Sequence, residues 1–549
     1  MTVAERLVDA LAAHGVDVVF GFPSEQMEPY YAALAGSDLR HVHPRSEASA
    51  ALMADGYARV GRGPGVCDGV GGPGAAYTAA GLVEAAGASS PVLALTGDND
   101  RAFRGNEAIQ DADNGAIVAP HVGASYDPEG PDRVVEAVDR AVAEALGGVP
   151  GPTHVNLPED LLDAETDVEP RGGEGTFPAH RPSPEPEDVA ALADLLADAD
   201  RPVVVAGEGA QRSGAAEAVT ALAREADLPV VTSMNAKGVV PEDDPHALGV
   251  AGRWGFCEVA NDAVADADLV VGLGCRFGEL TTVGWSLVPD DAALAHVDLD
   301  PAWLGRNYEP DVAVMADVRA TVEALRAALD DRPDARGRQD YVSSLADARA
   351  EWRESYARRL ESEDSPVDPA RLTAELDRAI PDDGLLVAAT SFPGFFTAAF
   401  YEVTEPGVGY IQARGSDGIN AALPQALGAQ VAMPDRDVVV ATGDGGFGYH
   451  LADVETAVRE ELPVTVVVFD NESLASSKMS QVANEGVDVS TDFEPVDFAQ
   501  VARGFGAAGA VVDDPDEFAA ELDDAIARDR PTVLDVQVDP HALPPVITE

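Results

Sequence analysis

Residues 435–477 read DRDVVVATGDGGFGYHLADVETAVREELPVTVVVFDNESLASS. A first apolar stretch begins at Val438 and ends before Gly443, Asp444 and Gly445, and a second, residues 464–469, ends before Asp470 and Asn471. A helix-like segment lies between the two stretches. Two buried parallel strands joined by a crossover helix explain this pattern.

A polar residue directly follows each of these strands. Asp444 and Asn471 are separated by one strand–helix–strand unit (471 − 444 = 27 residues). Because ligands gather beyond the carboxyl ends of parallel strands, we expect the two side chains to lie side by side. A carboxylate, an amide oxygen and a backbone carbonyl, here that of Ser473, suit Mg²⁺ shared with a phosphate. An isolated Asp-Gly pair is more often a simple turn, but the strand context favours the metal site.

This arrangement resembles the cofactor motif of thiamin-diphosphate-dependent 2-oxoacid enzymes, and the pattern is closest to the large subunit of acetohydroxyacid (acetolactate) synthases. The resemblance covers nearly the whole chain of 549 residues, which is too long for one core. It implies an α/β protein with three doubly wound parallel-sheet domains. These are a pyrimidine-binding domain (residues 1–165), a central nucleotide-binding-like domain (186–335) and a pyrophosphate- and Mg-binding domain (365–549).

The composition is extremely acidic. The formal net charge is −61, and Lys occurs only at Lys237 and Lys478, which leaves 36 − 2 = 34 Arg. Dispersed acid with little lysine indicates a halophilic protein, and nucleic acids and anionic membranes are not expected partners. The three cysteines form no metal pattern, and no signal peptide or long apolar run is found, so a cytoplasmic location is expected.

Glu47 opens a helix-like segment in residues 41–66, HVHPRSEASAALMADGYARVGRGPGV. A glutamate in this position of the resembled family hydrogen-bonds the aminopyrimidine ring of the cofactor. A carboxyl in an apolar setting keeps a raised pKa and can exchange a proton with a ring nitrogen. A glutamate that begins a helix can also be no more than a partner of the helix dipole.

The glycine-rich turn at residues 69–74 has two interpretations. Its sequence GVGGPG matches G-x-G-x-x-G, and Asp98 follows the next strand, which together would suit an NAD-linked oxidoreductase. In the resembled family Gly72, Pro73 and Gly74 instead line the thiazolium side of the cofactor site.

The remaining site residues are implied by the resemblance. Pro23 lies in a turn beside the substrate, Gln110 lies near the reacting carbon, and Ile419 is the bulky residue that bends the cofactor. Thr390 and Ser391 are left as phosphate ligands, because the Gln and His usual in this turn are missing. The other predicted cofactor contacts are Gly443, Asp444, Gly445, Gly446, Asn471, Ser473 and Leu474, and the metal ligands are Asp444, Asn471 and Ser473.

The central domain contains segments that resemble the FAD-binding segments of acetohydroxyacid synthases, so FAD is a further expected cofactor. They are AGEGA (206–210), GCRF with Arg276, and HVDLDP with Asp298 and Asp300. Lys237 stands out because lysine is so rare, and it is either drift or a charge in the substrate channel.

The predicted function is decarboxylation of a 2-oxoacid followed by carboligation, as in acetolactate synthases. Gln110 favours this reaction, and no pair of adjacent histidines typical of pyruvate decarboxylases is present. A 2-oxoacid decarboxylase or a lyase stays open, because Ser480 replaces a usual Trp and Arg253-Trp254-Gly255 replaces Met-His-Gly. The resemblance implies a homodimer or homotetramer and leaves an accessory small subunit open.

Overall fold

The computed structural model describes residues 1–61, 63–172, 181–330, 332 and 337–545. It contains three six-stranded sheets in which every recorded strand pair is parallel, with helices on their faces. This confirms the predicted α/β fold with three doubly wound sheets. Among the described residues, no helix is long and apolar enough to cross a membrane.

The first sheet has the strand order β2-β1-β3-β4-β6-β5. The order therefore reverses between β1 and β3, where doubly wound sheets bind their ligands. The strands are β1 (Val18–Gly21), β2 (Arg40–Val42), β3 (Gly65–Gly69), β4 (Val92–Asp98), β5 (Ala124–Tyr126) and β6 (Thr153–Pro158). The helices are α1 (Val3–Ala13), α2 (Glu28–Ala35), α3 (Glu47–Val60), α4 (Pro73–Gly87), α5 (Asn114–Val118), α6 (Pro131–Leu146) and α7 (Glu159–Leu162).

The central sheet has the order β12-β11-β10-β7-β8-β9, which is the order of dinucleotide-binding folds, with the reversal between β7 and β10. Its strands are β7 (Pro202–Ala206), β8 (Val230–Thr232), β9 (Ala247–Val250), β10 (Leu269–Leu273), β11 (Ala293–Asp298) and β12 (Val312–Met315). Its helices are α8 (Pro186–Asp198), α9 (Glu208–Arg212), α10 (Ala216–Ala226), α11 (Glu258–Ala265) and α12 (Val318–Leu329), followed by the connecting helices α13 (Gln339–Ser355) and α14 (Ala357–Leu360).

The third sheet, β14-β13-β15-β16-β18-β17, repeats the order of the first and reverses between β13 and β15. Its strands are β13 (Leu385–Ala388), β14 (Tyr410–Gln412), β15 (Val438–Gly443), β16 (Thr465–Asp470), β17 (Ala508–Val512) and β18 (Thr532–Gln537). Its helices are α15 (Pro369–Ala379), α16 (Phe392–Phe400), α17 (Ala422–Ala432), α18 (Asp444–His450), α19 (Asp453–Arg459), α20 (Ala475–Glu485), α21 (Phe498–Phe505) and α22 (Pro515–Ile526).

Helices α3 and α17 cross backbone to backbone and give the first and third domains a common core. A Cβ on Gly56 would lie 2.1 Å from the carbonyl oxygen of Gln425. A Cβ on Gly428 would lie 1.9 Å from the carbonyl oxygen of Met53. Both positions therefore require glycine, because any side chain would force the two helices apart.

Lys237 joins the central domain to the third. Its side chain is 1% exposed, and its Nζ donates to Glu242 Oε1 (2.7 Å) and to the carbonyl of Ala398 in α16 (3.2 Å). The Oε2 of Glu242 accepts from the backbone N–H of Val403 (2.9 Å). Lys237 is thus neither drift nor a charge in a channel, and it belongs to a buried ion pair between two domains.

The crossing of α3 and α17 gives a stability test. We expect Gly428→Ala to lower the apparent thermal unfolding midpoint, because overpacking typically costs about 1–3 kcal/mol. Gly504→Ala in α21 is the matched control, because a Cβ there meets nothing within 4 Å. The control should be neutral or stabilise by up to about 1 kcal/mol. Equal midpoints for the two variants, followed by circular dichroism, would contradict the close crossing.

Candidate functional site

The three predicted metal ligands lie together at the carboxyl edge of the third sheet. Strands β15 and β16 pair in register with Gly443 opposite Phe469, which places the residues that follow them next to each other. The backbone N–H of Ser473 donates to Asp444 Oδ2 (3.0 Å) and to Asn471 Oδ1 (3.1 Å). Two oxygen-bearing side chains thus converge on one short segment of backbone.

Asp444 is buried, and no Lys, Arg or His among the described residues forms an ion pair with its carboxyl. Burial, together with the negative charge of Asp470, raises the pKa of Asp444 to about 7. The hydroxyl of Ser473 is also buried and has no hydrogen-bond partner among the described residues. Buried polar groups in this condition are stabilised by a ligand that satisfies them. Asp444, Asn471 and the Ser473 carbonyl therefore fit a Mg²⁺ ion, with a phosphate close to the Ser473 hydroxyl.

The predicted metal ligands are one carboxylate, one amide oxygen and one backbone oxygen rather than a cluster of ionisable side chains. In the part of the chain that the structure describes, no group of three or more His, Cys, Asp or Glu side chains could hold a metal ion. A single carboxylate with neutral oxygens is typical of Mg²⁺ that is shared with a phosphate, whereas zinc sites use nitrogen and sulfur ligands.

The other predicted residues of the third domain gather around Asp444. A Cβ on Gly446 would lie 2.4 Å from the carbonyl oxygen of Ile419, and a Cβ on Gly445 would lie 2.8 Å from Leu474 Cδ2. These glycines let the Ile419 loop and the Leu474 side chain approach the start of α18. The sequence reason is the Gly-Asp-Gly-Gly run itself, which leaves no side chain in the way.

The predicted phosphate turn lies at the same reversal point, after β13. Thr390 Oγ1 donates to the carbonyl of Asp417 (3.3 Å), and the hydroxyls of Ser391 and Ser476 are 2.7 Å apart. These bonds connect the turn to the Ile419 loop and to α20. Helix α20, which contains Ser480, packs Ala475 and Met479 against the aromatic side chains of α16.

The first domain contains a second group of predicted residues, centred on Glu47. Glu47 is 6% exposed, and burial and the nearby charge of Asp68 raise the pKa of its carboxyl. A Cβ on Gly74 would lie 2.7 Å from Glu47 Oε1. No described side chain donates a hydrogen bond to this carboxyl, which therefore fits a ring nitrogen of a bound heterocycle.

The glycine-rich turn after β3 is held by side-chain amides. Gly71 N–H donates to Gln26 Oε1 (3.0 Å), and Gly72 N–H donates to Asn114 Oδ1 (2.7 Å). In a dinucleotide site, backbone N–H groups of this turn bind the pyrophosphate, and no anion lies at the start of the following helix. Here these N–H groups are already bonded to side chains, and Glu47 lies beside the start of α4. The strand order of this sheet also differs from that of dinucleotide-binding folds. The turn is therefore unsuited to NAD.

Pro23, the turn and Gln110 occupy the same edge of the first sheet. Pro23 is exposed directly after β1, where the N–H of Phe22 donates to the carbonyl of Asp68 (3.2 Å). A Cβ on Gly72 would lie 2.7 Å from the carbonyl oxygen of Gln110. Gln110 itself has a left-handed backbone (φ 58°) and an exposed side chain.

The two groups of residues are not joined within one chain. Helix α3 does contact the third domain, since Ser49 Oγ donates to Asp453 Oδ2 (2.5 Å) and lies 2.9 Å from His450 Nδ1. Among the described residues, however, no hydrogen bond or ion pair connects the group of Glu47 with the group of Asp444. The two groups are thus separate clusters, one in the first domain and one in the third.

A cavity of about 500 Å³ lies at the reversal point of the central sheet. The three segments predicted to bind FAD meet in its wall, which includes Arg276, Asp298 and Asp300. Arg212 Nε and the Nε and Nη2 of Arg414, which also line it, are buried without hydrogen-bond partners among the described residues. Both guanidinium groups are ion-paired through other nitrogens, Arg212 with Glu208 (3.1 Å) and Arg414 with Asp417 (2.6 Å). Their unsatisfied N–H donors fit an occupant with anionic oxygens.

Sequence reasoning missed Gln26, Asn114 and Arg414. Gln26 lies three residues after Pro23, in a turn where Pro23 is the predicted cofactor contact. Asn114 begins the short helix α5 four residues after Gln110, but it was not predicted as a site residue. Arg414 lies five residues before Ile419, yet it lines the cavity of another domain. In the sequence each of the three is a single amide or cation, which by itself does not indicate a site.

Three family descriptions match the chain. They are the thiamine pyrophosphate enzyme N-terminal TPP binding domain (residues 1–117), the central domain (189–325) and the C-terminal TPP binding domain (393–536).

The chain is also similar to named proteins over almost its whole length. It is 32% identical to a probable acetolactate synthase large subunit of Methanocaldococcus jannaschii, over 99% of this chain and 93% of that protein. It is 30% identical to the acetolactate synthase isozyme 2 large subunit of Escherichia coli, over 98% of this chain and 96% of that protein. A third relative is the acetolactate synthase large subunit of Parasynechococcus marenigrum, which is 30% identical over 97% of this chain and 87% of that protein.

Proposed function

Since the chain belongs to the acetolactate synthase large-subunit family of thiamine pyrophosphate enzymes, we propose that it decarboxylates one 2-oxoacid and joins the remaining fragment to a second 2-oxoacid. The observation that carries this proposal is the convergence of Asp444, Asn471 and Ser473 at the strand-order reversal of the third sheet. A simple 2-oxoacid decarboxylase or a lyase is the second candidate, because Ser480 stands on α20 where synthases usually have Trp.

Each proposed residue has one task. Thiamin diphosphate, when bound, supplies the electron sink that decarboxylation and carbon–carbon bond formation require. Asp444, Asn471 and the Ser473 carbonyl would hold Mg²⁺ for the pyrophosphate, and the Glu47 carboxyl would hold a proton at a pyrimidine ring nitrogen.

The other predicted contacts shape the site. Ile419 would contact the bound cofactor, and its β-branched side chain is stiff enough to hold it in one position. Gln110 orients the incoming carbonyl as a neutral hydrogen-bond donor. The glycines of both turns let the backbone approach the cofactor closely. Thr390, Ser391 and Leu474 lie at the end of the site that we propose for the phosphates.

We expect Glu47→Gln to lower kcat/KM by about 10²- to 10⁴-fold, because an amide cannot exchange the proton that a carboxyl holds. Glu258→Gln is the matched control, since Glu258 also begins a helix but is exposed. Both variants are compared by initial rates of CO₂ release with a panel of 2-oxoacids, and the products are identified by mass. Full turnover in Glu47→Gln would reject the assignment.

We also propose that two chains complete each site, with the Glu47 half of one facing the Asp444 half of the other. Large apolar side chains stand exposed near both halves, among them Tyr77 and Ile109 in the first domain and Tyr449 and Phe493 in the third. Exposed apolar groups of this extent favour a covered interface. A homodimer, alone or paired into a tetramer, meets this requirement.

Complementation tests the shared site. Glu47→Gln and Asp444→Asn chains with different affinity tags are co-expressed, and the mixed dimer is isolated by two purification steps. If sites are shared, one of the two sites is intact and about half of wild-type activity returns. If each site lies within one chain, both sites carry a substitution and the mixed dimer is inactive. In the control, the second chain carries Asp437→Asn instead of Asp444→Asn. Asp437 is exposed and lies at the opposite end of β15.

For the central cavity we propose FAD as the occupant. The cavity lies at the reversal point of a dinucleotide-type sheet, and arginine donors in its wall have no partner among the described residues. Both features support an adenine dinucleotide with a pyrophosphate. The acidic surface and the three free, buried cysteines support a protein of a salt-rich, reducing cytoplasm.

We expect the purified protein to show flavin absorbance, and Arg414→Met to weaken FAD binding by about tenfold or more. A charge-assisted hydrogen bond is worth about 1.5–3 kcal/mol, and methionine keeps the apolar stem. Arg306→Met is the matched control, because Arg306 stacks on Trp303 as Arg414 stacks on Phe395, but outside the cavity wall. Failure of the flavin-free protein to change FAD fluorescence would contradict FAD.

A further inference from the structure

The loop that carries Gln110 is anchored by side chains in its first half, away from Gln110. Arg101 donates to Asp160 (2.6 Å), and Arg104 donates to Asp98 (2.7 Å) and Asp127 (2.8 Å). Between Asn99 and Asp113 only a single turn of 3-10 helix is regular, and Glu107 and Gln110 both have left-handed backbones. The Gln110 side chain is exposed. A residue so placed keeps a defined position only if the surrounding structure holds its backbone.

Asn99 provides such an anchor. It is only 6% exposed, and its Nδ2 donates to the carbonyl oxygen of Ile109, the residue directly before Gln110 (2.9 Å). The bond spans ten residues of the loop and fixes the peptide unit from which Gln110 extends.

Gln26 connects this anchor to the glycine-rich turn. It is also 6% exposed, its Nε2 donates to Asn99 Oδ1 (3.3 Å), and its Oε1 accepts from the N–H of Gly71 (3.0 Å). An amide has a donor and an acceptor end, so two amides in series define an orientation as well as a distance. A continuous path of hydrogen bonds thus runs from the turn beside Glu47 to the Gln110 backbone.

We propose that Gln26 and Asn99 are positioning residues that place the Gln110 carboxamide and thereby set the partition between the two outcomes of the reaction. In carboligation, two 2-oxoacid anions and one proton yield one 2-hydroxy-3-oxoacid anion and one CO₂. In the alternative outcome, one 2-oxoacid and one proton yield an aldehyde and CO₂. The inference rests on the proposed function, because it concerns the fate of the same fragment.

The geometry gives the reason for a selective effect. Loss of CO₂ needs only the first substrate, while carboligation also needs the second carbonyl to be held in a narrow range of positions. Small misplacements of an orienting group can cost up to about 10²-fold in such a step. A shift of Gln110 should therefore lower carboligation and leave decarboxylation and cofactor affinity nearly unchanged.

The test compares Asn99→Ala with Asn106→Ala in the full-length enzyme. Asn106 lies in the same loop and also donates to a backbone carbonyl, that of Ala102 (3.3 Å), but it is exposed and its bond does not reach the residues next to Gln110. We expect Asn99→Ala to lower the ratio of carboligation product to aldehyde by about tenfold. Asn106→Ala should leave the ratio unchanged. Thiamin diphosphate affinity should stay within about twofold in both.

Asn99→Asp guards against a folding artefact. The aspartate keeps the shape of the side chain and the acceptor for Gln26, but it cannot donate to the Ile109 carbonyl. We expect its product ratio to fall as in Asn99→Ala. A wild-type ratio in Asn99→Asp would overturn the proposal, because the hydrogen bond would then have no role.

A double-mutant cycle with Gln110→Ala separates positioning from general damage. If Asn99 acts through Gln110, Asn99→Ala has no further effect on the ratio when Gln110 is already alanine. An equal further loss would overturn the inference. An unchanged ratio in Gln110→Ala alone would overturn both the role of Gln110 and this inference. Absence of thiamin-dependent CO₂ release in the wild-type enzyme would instead defeat the proposed function itself.

Discussion

The close crossing of α3 and α17 is the constraint on which the rest of the structure depends. Gly56 and Gly428 allow the two backbones to touch, so that the first and third sheets share one apolar core. Helix α3 starts at the buried Glu47, and the loop before α17 carries Ile419. One packing contact therefore fixes where both halves of the proposed cofactor site begin. The amount of apolar area buried matters less here than the absence of side chains between the two backbones.

The C-terminal end of α3 also connects the first and third domains to the central domain. Arg59, which is 4% exposed, pairs with Asp55 (3.0 Å) and Glu84 (2.7 Å) and donates to the carbonyl of Gln412 (3.1 Å). Glu208, at the wall of the central cavity, lies 3.8 Å from the same guanidinium. Buried ion pairs of this kind contribute little net stability, but a change of geometry would leave charges unpaired. The network therefore keeps the three sheets in one arrangement and connects the cavity to the helix that begins at Glu47.

The sequence predicted those features that depend on neighbours along the chain. Apolar stretches and glycine turns gave the three doubly wound sheets, and the Gly-Asp-Gly run with Asn471 gave residues that the structure places together. Features that depend on contacts across the fold could not be predicted in this way. Gln26 and Asn114 are ordinary amides until the fold brings them to the turn after β3. Lys237 was noticed for its rarity, but its partner Glu242 and the α16 carbonyl became evident only in three dimensions. The roles of the predicted residues stay proposals.

The burial of Lys237 has a practical consequence for chemical labelling. The chain has two lysines, and only Lys478, on α20, exposes its amine, with 39% of the side chain accessible beside Asp488 and Asp492. Apart from the N-terminus, an amine-reactive dye would therefore attach to the native protein at one place, on the helix that packs over α16. The unmodified sequence thus already contains a single-site reporter for fluorescence studies of this helix during turnover.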